Sequence, residues 1–285
     1  MRIRRETGDF RAFEAAQLAP GEAALFWLGQ AGFALRYESL LVLIDPYLSD
    51  SLAVKYAGKK FSHERMMASP VQPEELRNVD LCLSTHGHSD HMDPGTLPIV
   101  AAHNPDCRFV APRAETGKAV SIGLSEELLL GVNADEVVAT GGLRIHVVPS
   151  AHEELKTNAA GDHFFLGYVL EMDRIHVYHA GDCAPYDGLA ETLRPFSVDL
   201  ALLPVNGRDE YRRSNGVPGN MTFEEAATLC RDAGIKHMVP HHFGMFAFNT
   251  ADPAEVRRRC AGLERVEGLF PDTQSYLVAG HTHEE

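Results

Sequence analysis

The segment His86-x-His88-x-Asp90-His91 holds four side chains of the kinds that bind metal ions. It follows Asp80–Thr85, a run with the pattern of a buried strand. Residues two apart on an extended chain point the same way, so His86 and His88 are predicted to bind one ion together. As the chain turns out of the strand, Asp90 and His91 would reach a second position nearby. Because imidazole and carboxylate are natural ligands of divalent ions, the segment predicts a metal centre rather than a polar loop with incidental histidines.

Two ions need more ligands than this segment supplies, so further ligands are expected at the ends of other strands. Three candidates each follow a predicted strand: His152 after Leu143–Pro149, Asp182 after Ile175–His179, and His242 after His237–Pro240. Cys183, next to Asp182, is interpreted as a small buried side chain rather than a ligand.

The elements that must position these residues alternate between strands and helices along the whole chain of 285 residues. No linker or repeat interrupts them, which predicts one α/β domain of layered sheets over residues 1–285. Predicted helices include Asp9–Leu18, Ser125–Leu130 and Phe223–Ala233. The stretch Pro46–Pro73 lacks periodicity, and it is interpreted either as a lid or as a surface excursion with one short helix.

The composition disfavours several classes of protein function. A net charge of −14 with only short basic clusters, such as Arg2–Arg5, disfavours nucleic acid as the partner and suggests solvated faces for these clusters. The apolar stretches are too short to span a membrane, and the basic start lacks the apolar core of a signal peptide. Five cysteines without CxxC spacing suggest free thiols in a reducing compartment, so we expect a cytoplasmic location.

Taken together, HxHxDH followed by a lone His, an Asp and a last His resembles the ordered signature of the metallo-β-lactamase superfamily. The segments Trp27–Phe33 and Leu43–Pro46 are also similar to the opening strands of that superfamily. The resemblance implies a metallo-β-lactamase-like four-layer αββα sandwich with two divalent ions, Mn²⁺ or Zn²⁺, at one edge between the sheets. It also implies that Asp45 supports the segment His86–His91, here called the metal loop, without binding metal.

The same resemblance implies roles for the ligands and for the reaction. One ion would be held by His86, His88 and His152, the other by Asp90, His91 and His242, with Asp182 bridging the two ions. Asp90 and Asp182 would be the catalytic carboxylates that orient a metal-activated water for hydrolysis. Neighbouring residues on a strand face opposite ways, which favours His242 over His241 as the last ligand.

A narrower similarity concerns Pro204–Asp209, Arg212, Gly219–Met221 and Pro240-x-His242. These segments resemble the branch that contains L-ascorbate-6-phosphate lactonase, although Gly244 stands where that branch suggests an acidic residue. The branch implies opening of a phosphorylated sugar-acid lactone, and it implies a homo-oligomer. Cleavage of a phosphodiester in a small molecule or at an RNA end, and a non-catalytic metal-binding module, are the alternatives.

The expected substrate is a small anion that carries a phosphate. Two divalent ions, two carboxylates and a hydroxide would leave the cleft positive in spite of the acidic chain. Asn206, Arg208 and Arg212 are the candidate substrate contacts, because a guanidinium fork matches phosphate or carboxylate. An internal ion pair of the arginines with Asp209 or Glu210 is the alternative.

Overall fold

A computed structural model describes residues 1–281 of the chain. In chain order the strands are β1 (Arg2–Thr7), β2 (Ala23–Gly29), β3 (Gly32–Tyr37), β4 (Leu40–Ile44), β5 (Leu81–Leu83), β6 (Arg108–Pro112), β7 (Leu129–Val132), β8 (Val137–Thr140), β9 (Leu143–Pro149), β10 (Leu166–Met172), β11 (Ile175–His179), β12 (Leu200–Pro204), β13 (His237–His241), β14 (Glu267–Gly268) and β15 (Ser275–Gly280). The α-helices are α1 (Phe10–Ala15), α2 (Ser51–Lys55), α3 (Leu97–His103), α4 (Thr116–Ser121), α5 (Leu189–Leu193), α6 (Glu210–Ser214), α7 (Phe223–Ala233) and α8 (Pro253–Ala261). Short 3-10 turns lie at Pro73–Glu75, Arg113–Glu115 and Arg194–Phe196.

These strands form two sheets that pack against each other. The first has the order β1-β15-β2-β3-β4-β5-β6-β7, and the second has the order β14-β13-β12-β11-β10-β9-β8. Helices α1, α3 and α4 pack on the outer face of the first sheet, and α7 and α8 pack on the second. The predicted four-layer αββα sandwich is confirmed.

Strand β4 shows why the sequence gives four layers. All five of its residues are apolar and buried. Val42 and Ile44 pack between the two sheets, whereas Leu41 and Leu43 pack against the helices on the outer face. Since successive side chains of a strand point to opposite faces, a strand covered on both sides is apolar throughout rather than alternating.

Helix α7 has the bounds that its sequence predicts. The Thr222 hydroxyl accepts a hydrogen bond from the Glu225 backbone N–H, and the Glu225 carboxylate accepts one from the Thr222 N–H. This capping box begins the helix, and Gly234, with φ of +77°, ends it in the left-handed region.

One local prediction is wrong, for a reason of tertiary pairing. The sequence predicts a helix at Ser125–Leu130, but the residues after Leu128 form β7, which pairs in parallel with β6 at the sheet edge. Here pairing with a distant strand outweighs local propensity. The basic stretch Arg2–Arg5 forms the edge strand β1, paired with β15, and most of its side chains stay exposed, in agreement with the expected solvated face.

The two sheets meet at one edge of the molecule, where several strands end. The Thr85 carbonyl, after β5, accepts a hydrogen bond of 2.9 Å from the Leu166 N–H at the start of β10. The neighbouring His86 pairs with Phe165 in an isolated β-bridge. β9 and β11 are both antiparallel to β10, and β11, β12 and β13 are parallel, so the carboxyl ends of β9, β11 and β13 lie at one edge.

Within the described residues, no helix combines the length and the apolar character that a membrane crossing requires.

Candidate metal centre

Seven side chains from four strand ends converge at this edge, in two groups. The first group consists of His86, His88, His152 and Asp182, and the second consists of Asp90, His91 and His242. Within each group the potential ligand atoms all lie within 4.8 Å of one another. The structure thus brings together every residue that the sequence proposed as a metal ligand.

Asp182 lies between the two groups and directs one carboxylate oxygen to each. Its Oδ1 lies 3.3 Å from His91 Nε2 and 3.2 Å from His242 Nε2. Its Oδ2 lies 3.6 Å from His152 Nε2, on the other side. This is the arrangement that a carboxylate bridging two cations requires.

The charges in the cluster compensate one another. Burial opposes ionisation of Asp182, but His242 and His91 outweigh burial and hold the pKa of that carboxyl well below its ordinary value. Burial also disfavours a charged His242, yet Asp182 and Asp90 raise its pKa to about 9. In contrast, burial lowers the pKa of His86 well below its ordinary value, with the charge of His91 adding to the shift. The cluster thus has two carboxylates and a demand for positive charge that divalent ions would meet.

The donor atoms of the cluster fit such ions. Nε2 of His86, Nε2 of His91 and Oδ1 of Asp182 are buried without a hydrogen-bond partner among the described residues. Buried polar atoms are nearly always paired, so unpaired atoms that face one another indicate a ligand. An all-nitrogen and oxygen donor set suits Zn²⁺, Mn²⁺ or Fe²⁺.

Asp45 supports the metal loop through contacts with His91 and Thr85, and it does not line the cavity described below. Its Oδ2 lies 2.6 Å from His91 Nδ1 and accepts a hydrogen bond of 2.6 Å from the Thr85 hydroxyl. Its Oδ1 accepts a further bond of 2.7 Å from the Thr85 N–H. A proton on Nδ1 leaves the Nε2 lone pair of His91 free to face the cluster, as is usual for metal-binding histidines.

Gln30, between β2 and β3, supports the second group. Its side-chain amide donates a hydrogen bond of 3.0 Å to Asp90 Oδ2, and its backbone carbonyl accepts one of 2.9 Å from the His242 N–H. Gln30 and His242 both have positive φ, so two tight turns meet here. The adjacent His241 instead stacks on His179 between the sheets, with ring centroids 5.0 Å apart. The two histidines therefore face opposite ways, as expected at the end of a strand.

A cavity of about 340 Å³ opens onto the cluster. His88, Asp90, His152, Asp182 and His242 form its floor. The stretch 46–73 contributes one wall, from Leu52 to His63, and the opposite wall comes from residues 215–218 and 246–249. The walls touch where Phe61 stacks on Phe248, with ring centroids 4.9 Å apart.

The three candidate substrate contacts lie behind this cavity, and none of them is among the described residues that line it. Arg208 makes a two-pronged ion pair with Glu225, at 2.6 and 2.7 Å. Arg212 pairs with Asp209 at 2.5 Å and donates to the Asn249 side chain at 2.8 Å. Asn206 donates to the same Asn249 oxygen. The arginines thus make internal ion pairs, and this network supports Asn249, which does line the cavity.

Four lysines that the sequence patterns did not indicate as site residues line the cavity: Lys55, Lys59, Lys60 and Lys118. Burial lowers the pKa of Lys118; Glu115 opposes that shift and the charge of Lys55 adds to it. The sequence held one signal, since three of these four lysines lie in the stretch 46–73. Lys118 had no such signal, because it reaches the cavity only through the packing of α4.

The chain is similar in sequence to members of one protein family. A family model described as "Beta-lactamase superfamily domain" matches residues 41–243. A metal-dependent hydrolase of Myxococcus xanthus is 29% identical over 248 residues, covering 82% of this chain and 75% of the relative. A metal-dependent hydrolase of Aeropyrum pernix is 28% identical over 277 residues, covering 92% and 97%.

Solved structures share the fold. An isothiocyanate hydrolase from Delia radicum gut bacteria matches with a TM-score of 0.69 and 23% identity, covering 89% of this chain and 97% of that one. A metallo hydrolase from Ignicoccus hospitalis matches with a TM-score of 0.67 and 19% identity, covering 92% and 100%. Both comparisons support the four-layer architecture.

Proposed function

Because the chain belongs to the β-lactamase superfamily, we propose that it is a metal-dependent hydrolase that uses two divalent ions to cleave a small anionic substrate. The observation that carries the proposal is Asp182, whose two carboxylate oxygens face different groups of ligands. A single-ion site would not need a carboxylate in this position. His86, His88 and His152 would hold one ion, and Asp90, His91 and His242 the other.

When bound, such ions lower the pKa of a coordinated water from about 15.7 toward about 7 and polarise the scissile group. The residues of the chain supply orientation and charge. Asp182 and Asp90 line the cavity, and their carboxylates would orient the attacking water and relay its proton. Nε2 of His242 lies 3.2 Å from Asp182 and 3.7 Å from Asp90, and Nε2 of His152 lies 3.6 Å from Asp182, so these two rings hold the carboxylates in place.

For the substrate we propose a lactone of a phosphorylated sugar acid, with attack at the lactone carbonyl. The support for this choice is the similarity of Pro204–Asp209 and Pro240-x-His242 to the lactonase branch, together with the cationic cavity. The cavity volume suits a ligand of that size, since pockets for small molecules begin at about 300 Å³.

The test combines metal analysis with turnover. Protein purified without added metal should contain close to two equivalents of a divalent ion, and it should open lactones with release of one acid per turnover. Asp182→Asn should lower metal content and reduce kcat by a factor on the order of 10²–10³, comparable to the loss of one electrostatic contributor to the transition state. Asp187→Asn, an exposed change on the same loop, serves as the matched control and should retain both.

Two outcomes would overturn the proposal: full turnover in Asp182→Asn, or wild-type protein that binds one ion or none under saturating metal. A chromogenic bis-aryl phosphate, assayed in parallel, decides between lactone opening and phosphodiester cleavage on the same centre.

A further inference from the structure

We propose that the lysines that line the cavity beside the metal centre form a subsite for a non-scissile anionic group of the substrate, a phosphate monoester. This inference rests on the proposed hydrolysis at the metal centre, and it replaces the arginines by the lysines as the phosphate contacts. The subsite is defined by Lys55, Lys59, Lys60 and Lys118.

The distribution of lysines over the molecule is uneven. The chain contains only six lysines, and four of them line this one cavity. The protein as a whole has a net charge of −14. Ammonium groups that were merely solubilising would be spread over the surface, so their concentration beside the metal centre indicates an anionic ligand.

Two of the ammonium groups flank the metal loop itself. Lys55 Nζ lies 3.4 Å from the Ser89 hydroxyl, and Lys118 donates to the Gly87 carbonyl. Lys118 and Lys55 are close enough for the charge of one to lower the pKa of the other. A dianion bound between them would relieve this repulsion and could accept a hydrogen bond from Ser89 as well.

Lys60 connects two parts of the cavity lining. Its Nζ donates to Asn215 Oδ1 at 2.6 Å, on the opposite wall. Lys59 lies over the Tyr56 ring, with Nζ 4.9 Å from the centroid. None of the four lysines lies within 4.0 Å of a carboxylate oxygen in the described part of the chain, so their positive charges remain available to a ligand.

The charge balance of the cavity favours a dianion. Among the described residues, the carboxylates that line it are Asp90 and Asp182, which belong to the metal cluster, and they face four ammonium groups. Once the carboxylates are neutralised by cations, every remaining formal charge on the described walls is positive. A phosphate monoester brings about two negative charges and three acceptor oxygens, whereas a carboxylate brings one charge and two oxygens.

The first experiment measures ligand binding at the lysines and does not depend on turnover. The full-length protein, loaded with metal, is acetylated with an N-hydroxysuccinimide ester, and the modification of each lysine is followed by mass spectrometry. We expect glucose 6-phosphate to slow acetylation of Lys55 and Lys118 several-fold, glucuronate to protect less, and glucose not to protect. Lys236, at the amino end of β13 on the opposite edge of the sheet, should be acetylated at the same rate throughout.

The second experiment compares two lactones, glucono-δ-lactone and its 6-phosphate. In Lys55→Gln/Lys118→Gln the ratio of kcat/KM for the phosphorylated over the neutral lactone should fall about tenfold or more, the loss expected for a hydrogen bond to a charged group. Lys236→Gln should leave the ratio unchanged.

The outcomes separate this inference from the proposed function. Equal hydrolysis of both lactones without protection by glucose 6-phosphate would overturn the subsite and leave the hydrolase intact. Selective protection without hydrolysis of any lactone would support the subsite and refute the lactonase activity. Protection by glucuronate equal to that by glucose 6-phosphate would overturn the choice of phosphate.

Discussion

The protonation of His91 is set by a residue that does not itself face the cavity. Asp45 lies 2.6 Å from Nδ1 of His91, and Thr85 fixes the carboxylate through its hydroxyl and its backbone N–H. Both His91 and Asp45 are fully buried. The outer partner of a metal-binding histidine fixes its tautomer and raises its basicity, so Asp45 would contribute to the affinity for a metal ion held by His91.

Asp45→Asn should therefore weaken metal binding by a factor on the order of 10–100, because a neutral amide neither orients nor polarises His91 as a carboxylate does. Chelator competition measures this affinity. Asp93→Asn is a matched control, since Asp93 is equally buried but accepts its bonds from Ser49, Ser51 and Thr96. It should lower thermal stability and leave metal affinity unchanged; equal affinity losses in both variants would contradict the role of Asp45.

At the scale of elements, the site depends on how each strand ends. After β11 the chain turns at Gly181, whose φ of +61° few side chains adopt. A Cβ at this position would lie 2.7 Å from the Thr85 side chain. The same Thr85 holds Asp45, so the turn that presents Asp182 packs directly on the support of His91.

Gly181→Ala should destabilise the fold by an amount on the order of 2–5 kcal/mol, from backbone strain and overpacking together. It should also displace Asp182 and lower metal content. Gly234→Ala is the comparison, because Gly234 has φ of +77° but open space around it. That variant should lose only about 1 kcal/mol and keep its metal. Chemical denaturation and elemental analysis give both readouts, and normal metal content in Gly181→Ala would refute the argument.

At the scale of the whole molecule, the candidate metal ligands come from both sheets and meet at one edge. The first sheet brings His86 to His91, and the second brings His152, Asp182 and His242. Ions bound across this edge would therefore stabilise the folded state, since the unfolded chain cannot present these ligands together.

Loading with metal at a thousandfold excess over Kd should stabilise the protein by about 4 kcal/mol and raise Tm by about 10 °C. Uptake near pH 7 should release protons, because the pKa of His242 is raised to about 9 and the ion must displace its proton. Metal affinity should thus increase between pH 6 and pH 9. Calorimetry and a pH-indicator dye measure these effects, and uptake without proton release would contradict the charge assignment.

The layered fold could be predicted from the sequence because its strong patterns agree with its packing. The apolar run Leu40–Ile44 and the capped helix Phe223–Ala233 lie where local and tertiary preferences coincide. The prediction of a helix at Ser125–Leu130 is wrong because its last two leucines pair with β6. The local sequence gives no indication of this pairing, since β6 lies in another part of the chain.

The residues that can hold metal could be predicted from the sequence alone. Their side chains are of metal-binding types, and each lies after a predicted strand. Only the tertiary structure decided which oxygen of Asp182 faces which group, that Arg208 and Arg212 pair internally, and that Lys118 faces the cavity. The physical reason is that these properties depend on side-chain direction between elements far apart in sequence. Such directions are fixed by packing and by partners, and residue type and spacing do not determine them.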